Sequence, residues 1–405
     1  MFAVRGWWEV RGVFAAVLAG ALAMVAGCDS ASGPDEPRPL DPALVAEGQE
    51  IFRYDTFGDE AYWTDTLRMH EVVESAVSPS LALQVGLKVD VDALPETVRQ
   101  AIAAGQVDLN DPATTLTLLE LDAVLGLQGT VETLAGERRL TRLGITCALC
   151  HSTVDNSFAP GIGHRLDGWT NRDLNVGAIV ALSPAVSPEL KQVLNGWGPG
   201  RYDPRINFDG LNTPIVIPPA YGLHGVDLET YTGEGPVSYW NAYVAVTQMH
   251  GQGSFSDPRL GVSITRSPDL VTSKLPALAE YQFSLEAPAP PAGSFDAAAA
   301  ERGRLVFEGA GRCSVCHDPR TQFTDVNRGR LHAPSETGMD GAYAARTATR
   351  RYRTTPLRGA WQHPPYFHDG SAATLLDVVE HYDRVLDLGL SAAEKAELAE
   401  YLKSL

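Results

Sequence analysis

Apolar residues recur at helical spacing in several separate stretches of the chain. The run from Ala297 to Phe307 predicts a helix that ends in Leu305, Val306 and Phe307. Ser391-Ala-Ala-Glu394 is a capping box, and Leu398, Tyr401, Leu402 and Leu405 follow at helical spacing. Leu375, Val378, Val379, Tyr382, Val385 and Leu386 share one helix face, while His381 falls beside Asp377 and Arg384. Ser238 to Val244 is an aromatic helical stretch, and Val89 to Leu125 reads as helical packing around Leu94, Val98 and Ile102. A Pro/Gly/Asn-rich tract from Gly161 to Pro219 reads as a long ordered loop. The expected fold is mainly α.

Glu286-Ala-Pro-Ala-Pro-Pro-Ala-Gly293 forbids helix and marks a stiff linker over 286–294. The run Glu47 to Phe52 is echoed by Glu301 to Phe307, so the flanking regions, 43–285 and 295–405, read as two related units. The first inserts almost a hundred residues after its opening helix.

Arg5 and Arg11 precede an apolar run, Val13 to Val25, that ends in Val25-Ala26-Gly27-Cys28. This is the pattern of a signal peptide over 1–27 with a lipoprotein cleavage site, and the run is shorter than the about 20 residues a membrane span needs. Cys28 would be acylated, and 28–42, with Pro34, Pro37, Pro39 and Pro42, would tether the protein to a bacterial membrane on its periplasmic side. A soluble periplasmic protein with Cys28 removed or idle is the other reading. The formal charge of −18 argues against nucleic acid as a partner, and 44% hydrophobic residues supply real cores.

Four of the five cysteines lie in Cys147-Ala-Leu-Cys150-His151 and Cys313-Ser-Val-Cys316-His317. In such a run two thiols add to the haem vinyl groups as thioethers, and the histidine reaches the iron from the proximal side. Two covalently attached haem c groups are therefore expected. A zinc ribbon would not require the histidine twice.

Downstream, Thr355-Pro356-Leu357-Arg358, then Pro365-Tyr366-Phe367-His368-Asp369-Gly370, then Thr374-Leu375 and a short helix, resemble the dihaem cytochrome c peroxidase superfamily. That superfamily includes bacterial cytochrome c peroxidases, the dihaem enzyme that matures methylamine dehydrogenase and, distantly, rubber oxygenases. The resemblance implies two cytochrome c-like haem domains, the first enlarged by helical and long-loop insertions.

It also implies site residues. Ile162-Gly163-His164 matches the run that carries a distal ligand of the peroxide-reacting haem, with a surface histidine as the alternative. Tyr382 falls at the distal position of the second haem, with His381 as its rival and Met339, Met249, His250 and His332 as remoter choices. Trp240 is the candidate electron relay, Phe255 a candidate pocket lining, and Arg358 the choice of propionate partner from the cluster Arg346, Arg350, Arg351, Arg353 and Arg358. Asp203, Asp209, Asp227, Glu229 and Glu234 are all candidates for an acid or base.

The expectation is a periplasmic peroxidase-like oxidoreductase. Its N-terminal haem would meet peroxide or dioxygen, and its C-terminal haem would exchange electrons with a small redox protein. A plain dihaem electron carrier and a dihaem oxygenase of an organic substrate stand as alternatives. A structural calcium is not readable from the sequence.

Overall fold

Two close helix crossings, built alike, frame the protein in the computed structural model, which describes residues 38–205 and 211–405. Helix Pro42–Tyr54 crosses helix Leu275–Ser284, and helix Ala297–Glu308 crosses helix Ala392–Ser404. At the first crossing a Cβ on Gly48 would lie 1.9 Å from the Ala277 carbonyl oxygen; at the second, a Cβ on Gly303 would lie 1.9 Å from that of Glu397. One turn further on, Phe52 meets Tyr281 edge to face at 5.4 Å, and Phe307 meets Tyr401 at 5.2 Å. The spacing of four, from glycine to aromatic on the two opening helices and from the facing carbonyl residue, Ala277 or Glu397, to tyrosine on the two closing ones, is the same at both crossings, so the echo in sequence is an echo in packing.

Each opening helix starts at an aspartate. Asp41 accepts from the Ala43 N–H with Pro42 in the first turn, and Asp296 accepts from Ala298 and Ala299. Helix Leu375–Leu386 begins with a Thr374/Asp377 capping box, and the last helix with the Ser391/Glu394 box. Arg53, Tyr281 and Ser152 all donate to Asp167, each at 2.6 Å. That buried carboxylate ties both helices of the first crossing to the strand that follows His151.

The inserted region has its own aliphatic core, including Leu94, Leu116, Leu119 and Leu140. It departs from the helical expectation in two places. Leu94 follows a 3₁₀ turn, Val91–Ala93, and the helix begins only at Glu96, because Pro95 keeps its predecessor extended. A β-hairpin, Leu127–Leu134 with Glu137–Ile145, leads into the first haem motif, turning at Ala135 and Gly136 with positive φ at both. The 161–219 tract is not all loop. Helices Val176–Ala181 and Pro188–Asn195 form where Asn175 and Ser187 cap the N–H groups of Ala178 and Leu190.

Near the C-terminus Val306 and Phe307 are buried, and Leu305, on the outer side of the same helix, is exposed. Segment 286–291 has no regular secondary structure, and the Trp361 indole donates to the Pro288 carbonyl. The signal segment, Cys28 and most of the tether lie outside the described residues. No helix among the described residues is long and apolar enough to cross a membrane.

Gly303→Ala and Gly48→Ala are each expected to destabilise the holoprotein by about 1–3 kcal/mol, by forcing a crossing apart. Gly341→Ala, whose Cβ would meet only the Pro334 ring at 3.7 Å, is expected to be near neutral. Chemical denaturation of the three variants checks this.

Candidate haem sites

The hairpin delivers the chain to Thr146, whose hydroxyl donates to the Arg53 carbonyl. Cys147 opens a single helical turn, Ala148–His151, that holds the two thiols three residues apart on one side. Both are free thiols, and burial pushes each up to about 12, so they are inert as thiolates. Burial also pushes His151 down to about 4, opposed by the Pro218 carbonyl, and its Nδ1 has no hydrogen-bond partner. A neutral imidazole is the form that ligates iron.

The second motif has the same parts on a 3₁₀ turn, Cys313–Val315. His317 Nδ1 lies 2.8 Å from the Phe323 carbonyl, which places the ring proton there, so Nε2 would be the nitrogen offered to an iron. Burial lowers its pKa, while the Phe323 carbonyl opposes that shift. The Arg358 guanidinium lies 5.5 Å above the Phe323 ring.

A small cleft of about 50 Å³ is walled by Pro218, Tyr231, Arg353, Thr355, Arg358 and His363, among others. The backbone of Pro218 on its wall approaches His151, and that of Thr355 approaches His317. Arg353 Nε and Thr230 Oγ on its wall make no hydrogen bond, and nor does Arg165 Nη1, although Arg353 pairs with Glu229 through Nη1 and Arg165 Nε lies 3.5 Å from Asp90. Free thiols, neutral imidazoles and guanidinium N–H groups with spare donor capacity are what two haem c groups would require. The residues fit the group.

His164 is placed apart from this enclosure. Its side chain is 58% exposed, and its Nδ1 lies 2.8 Å from Asp92, which raises its pKa. It follows strand Ile162–Gly163, which pairs with Val89–Asp90 and turns the ring outward.

On helix Leu375–Leu386 the two rivals separate. The His381 ring is spent on the Thr337 carbonyl, 2.8 Å from Nε2, and on Arg384, whereas Tyr382 lies in the field of Cys316 and Cys313. Burial, reinforced by those cysteines, pushes the Tyr382 phenol up to about 12. His332 also lies near Cys316, with Nε2 3.1 Å from Asp325. Once Cys316 is a thioether that trio is no thiolate metal site. Met249 is buried in the first motif's core, His250 stacks on Tyr62 at 3.6 Å, and Met339 packs beside Tyr343.

Trp240 is buried with Ala148 of the first motif, edge to face with Tyr239 and Tyr243, and donates to the Glu229 carbonyl. Phe255 closes the same aromatic group. Two further indoles meet as a pair. Trp169 follows Gly168, whose N–H donates to the His151 carbonyl, and meets Trp361 edge to face at 6.0 Å. Trp361 adjoins Ala360 of the core that includes Cys313. Only distance in sequence concealed the pair.

Among the acidic candidates, Asp203 is paired with Arg346, and Glu234 with Arg205. Asp227 is exposed, and Asp209 lies outside the described residues. Glu229 pairs with Arg353 yet keeps one buried oxygen unpartnered; burial raises its pKa while Arg353 opposes.

These two motifs present the residue types and spacing that attachment of haem c would need. No family model matches the chain. It is 31% identical over 96 residues to methylamine utilization protein MauG of Methylorubrum extorquens, a match that spans 20% of this chain and 24% of that protein. This agrees with the resemblance to the dihaem cytochrome c peroxidase superfamily carried by the downstream motifs. Among solved structures, Kuenenia stuttgartiensis hydrazine synthase under xenon pressure aligns with a TM-score of 0.37 and 20% identity, covering 52% of this chain and 78% of that one. A MauG-like protein associated with microbial copper homeostasis aligns at 0.35 and 21%, covering 48% and 74%.

Asp59 buttresses the first motif, accepting from the Ile145 N–H, and burial pushes its carboxyl up to about 9. In the unfolded chain it would lose its proton near pH 4, about the ordinary aspartate value. The folded state therefore binds more protons between those values, and this group's contribution to stability falls as pH rises from about 4 to 9. Asp59→Asn is expected to melt above wild type at about pH 8, with the gap closing towards about pH 4 in thermal scans.

Proposed function

We propose that the protein is a dihaem c-type cytochrome with oxidoreductase activity, built from two cytochrome c-like units, 43–285 and 295–405. One haem would be carried by Cys147, Cys150 and His151, the other by Cys313, Cys316 and His317. The bound haems would supply the redox chemistry; the chain sets access and proton supply.

The observation that carries this reading is an asymmetry of burial. Ala148, between the first pair of cysteines, is 0% exposed, whereas Val315, between the second pair, is 56% exposed. An enclosed haem suits a small substrate that must be kept from bulk water, and an edge at the surface suits exchange of electrons with a protein partner. On this reading the first haem would meet peroxide or dioxygen, and the second, held on its far side by Tyr382, would pass electrons to or from a small redox protein. Trp169 and Trp361 supply a contact between the two neighbourhoods, with Trp240 as the indole on the substrate side. Glu229, with its free buried oxygen, is placed to hold or move a proton. A periplasmic setting with an acylated Cys28 completes the proposal.

With His164 turned to Asp92, the first iron would lack that ligand and be open. Low-temperature EPR of the ferric holoprotein is expected to show a high-spin signal that disappears on adding peroxide, unchanged in His164→Ala. Two low-spin haems, both unreactive, would leave the plain electron carrier as the better account. Tyr382→Phe is expected to alter the second haem's ferric spectrum, and His381→Gln to leave it intact; the reverse result removes Tyr382 as the ligand.

A further inference from the structure

The charges around the second haem motif run against those of the whole chain, which carries a formal charge of −18. From residue 309 to residue 330, the stretch that bears the motif and follows it, every exposed charged side chain is an arginine: Arg312, Arg320, Arg328 and Arg330. The two carboxylates of the same stretch, Asp318 and Asp325, are buried.

Contacts as well as sequence bring these arginines to the motif. Arg320 and Arg328 both donate to Asp318, the residue after His317, at 2.9 and 2.6 Å. One carboxylate thus holds two guanidinium groups, and a positive charge is left over. Arg312 directly precedes Cys313, and Arg330 is two residues from His332, a ring nitrogen of which lies within 4.8 Å of the Cys316 sulfur. Neither Arg312 nor Arg330 has a carboxylate partner among the described residues. Glu336, beyond the stretch, is engaged by His332 and Arg351.

Val315 lies bare among them, between the two thiols. An exposed apolar residue rimmed by charges of one sign has the make-up of a transient docking surface. Like charges on a surface repel one another, and the field they create steers a partner of opposite charge.

We propose that this surface docks a small redox protein with an acidic face. The proposal rests on the reading of the second haem as the one that exchanges electrons, and adds the sign of the partner's charge. Net charge alone points the other way, since the protein as a whole repels an acidic partner. Screening decides between them: at a Debye length of about 8–10 Å, the arginines beside the contact outweigh carboxylates elsewhere on the molecule.

Stopped-flow oxidation of the reduced holoprotein tests the sign. One electron passes from the ferrous second haem to ferricyanide, an anion, or to tris(phenanthroline)cobalt(III), a cation, giving ferrocyanide or the cobalt(II) complex. Added salt is expected to slow the anion and speed the cation at this haem, and the reverse signs overturn the surface. Arg312→Gln/Arg330→Gln, which breaks no ion pair, is expected to slow ferricyanide about tenfold at low salt and to leave the haem's midpoint potential unchanged. A shifted potential with an unchanged salt dependence would assign these arginines to the propionates and overturn the docking role. If neither reagent oxidises that haem rapidly, the electron-exchange reading fails, and binding then decides the surface separately. Oxidised plastocyanin, an acidic copper protein, can take no electron from the ferric holoprotein and reads docking alone. Binding at low salt that the double variant weakens supports the surface; no binding, or binding that the variant leaves unchanged, overturns it.

Discussion

Everything in the structure hangs from a backbone-to-backbone approach that only glycine permits. At Gly48 and again at Gly303 the opening helix of a unit lies so near the closing helix that a single methyl group would strike a carbonyl oxygen. Once those two helices meet, the chain between them must leave and return through fixed points, and the haem motif sits on the excursion. The first excursion has grown to include a hairpin and several helices with a core of their own, because material added between two fixed points does not disturb the crossing. The second has stayed short, and its motif lies near the surface.

The two regions are not independent beads. Arg346 reaches Asp203, the Ala348 N–H reaches Glu234, and the Thr349 hydroxyl donates to the Thr232 carbonyl. Arg353 pairs with Glu229 on the same front. Buried ion pairs of this kind contribute little net stability but are costly to break singly, so they fix position more than they add strength. What they fix is the polar wall beside the first haem motif, assembled from both halves of the chain.

How much of this was legible in sequence follows from the range of each interaction. The capping boxes at Thr374 and Ser391, the helices they start and the two Cys-x-x-Cys-His runs are local patterns, and they stand where the pattern puts them. The repeat was visible as an echo, but that its glycine and aromatic positions form matching crossings needed coordinates. Asn175 and Ser187 carried readable cap signals that the surrounding glycine and proline obscured. The outward turn of His164 depends on a strand pairing more than seventy residues distant, and the Trp169–Trp361 contact joins residues nearly two hundred apart. Neither leaves a trace in spacing. Tyr382 and His381 were separable only through the Thr337 carbonyl, which occupies one ring and leaves the other free.

The interlock of residues 346–353 with the 203–234 tract also sets an order of events during synthesis. Cys147, Cys150 and His151 are made well before Arg346 and Ala348, so the first motif emerges with one side of its surroundings still missing. The late arrival of the C-terminal segment then completes the polar wall, and the last third of the chain serves as a latch on the middle one.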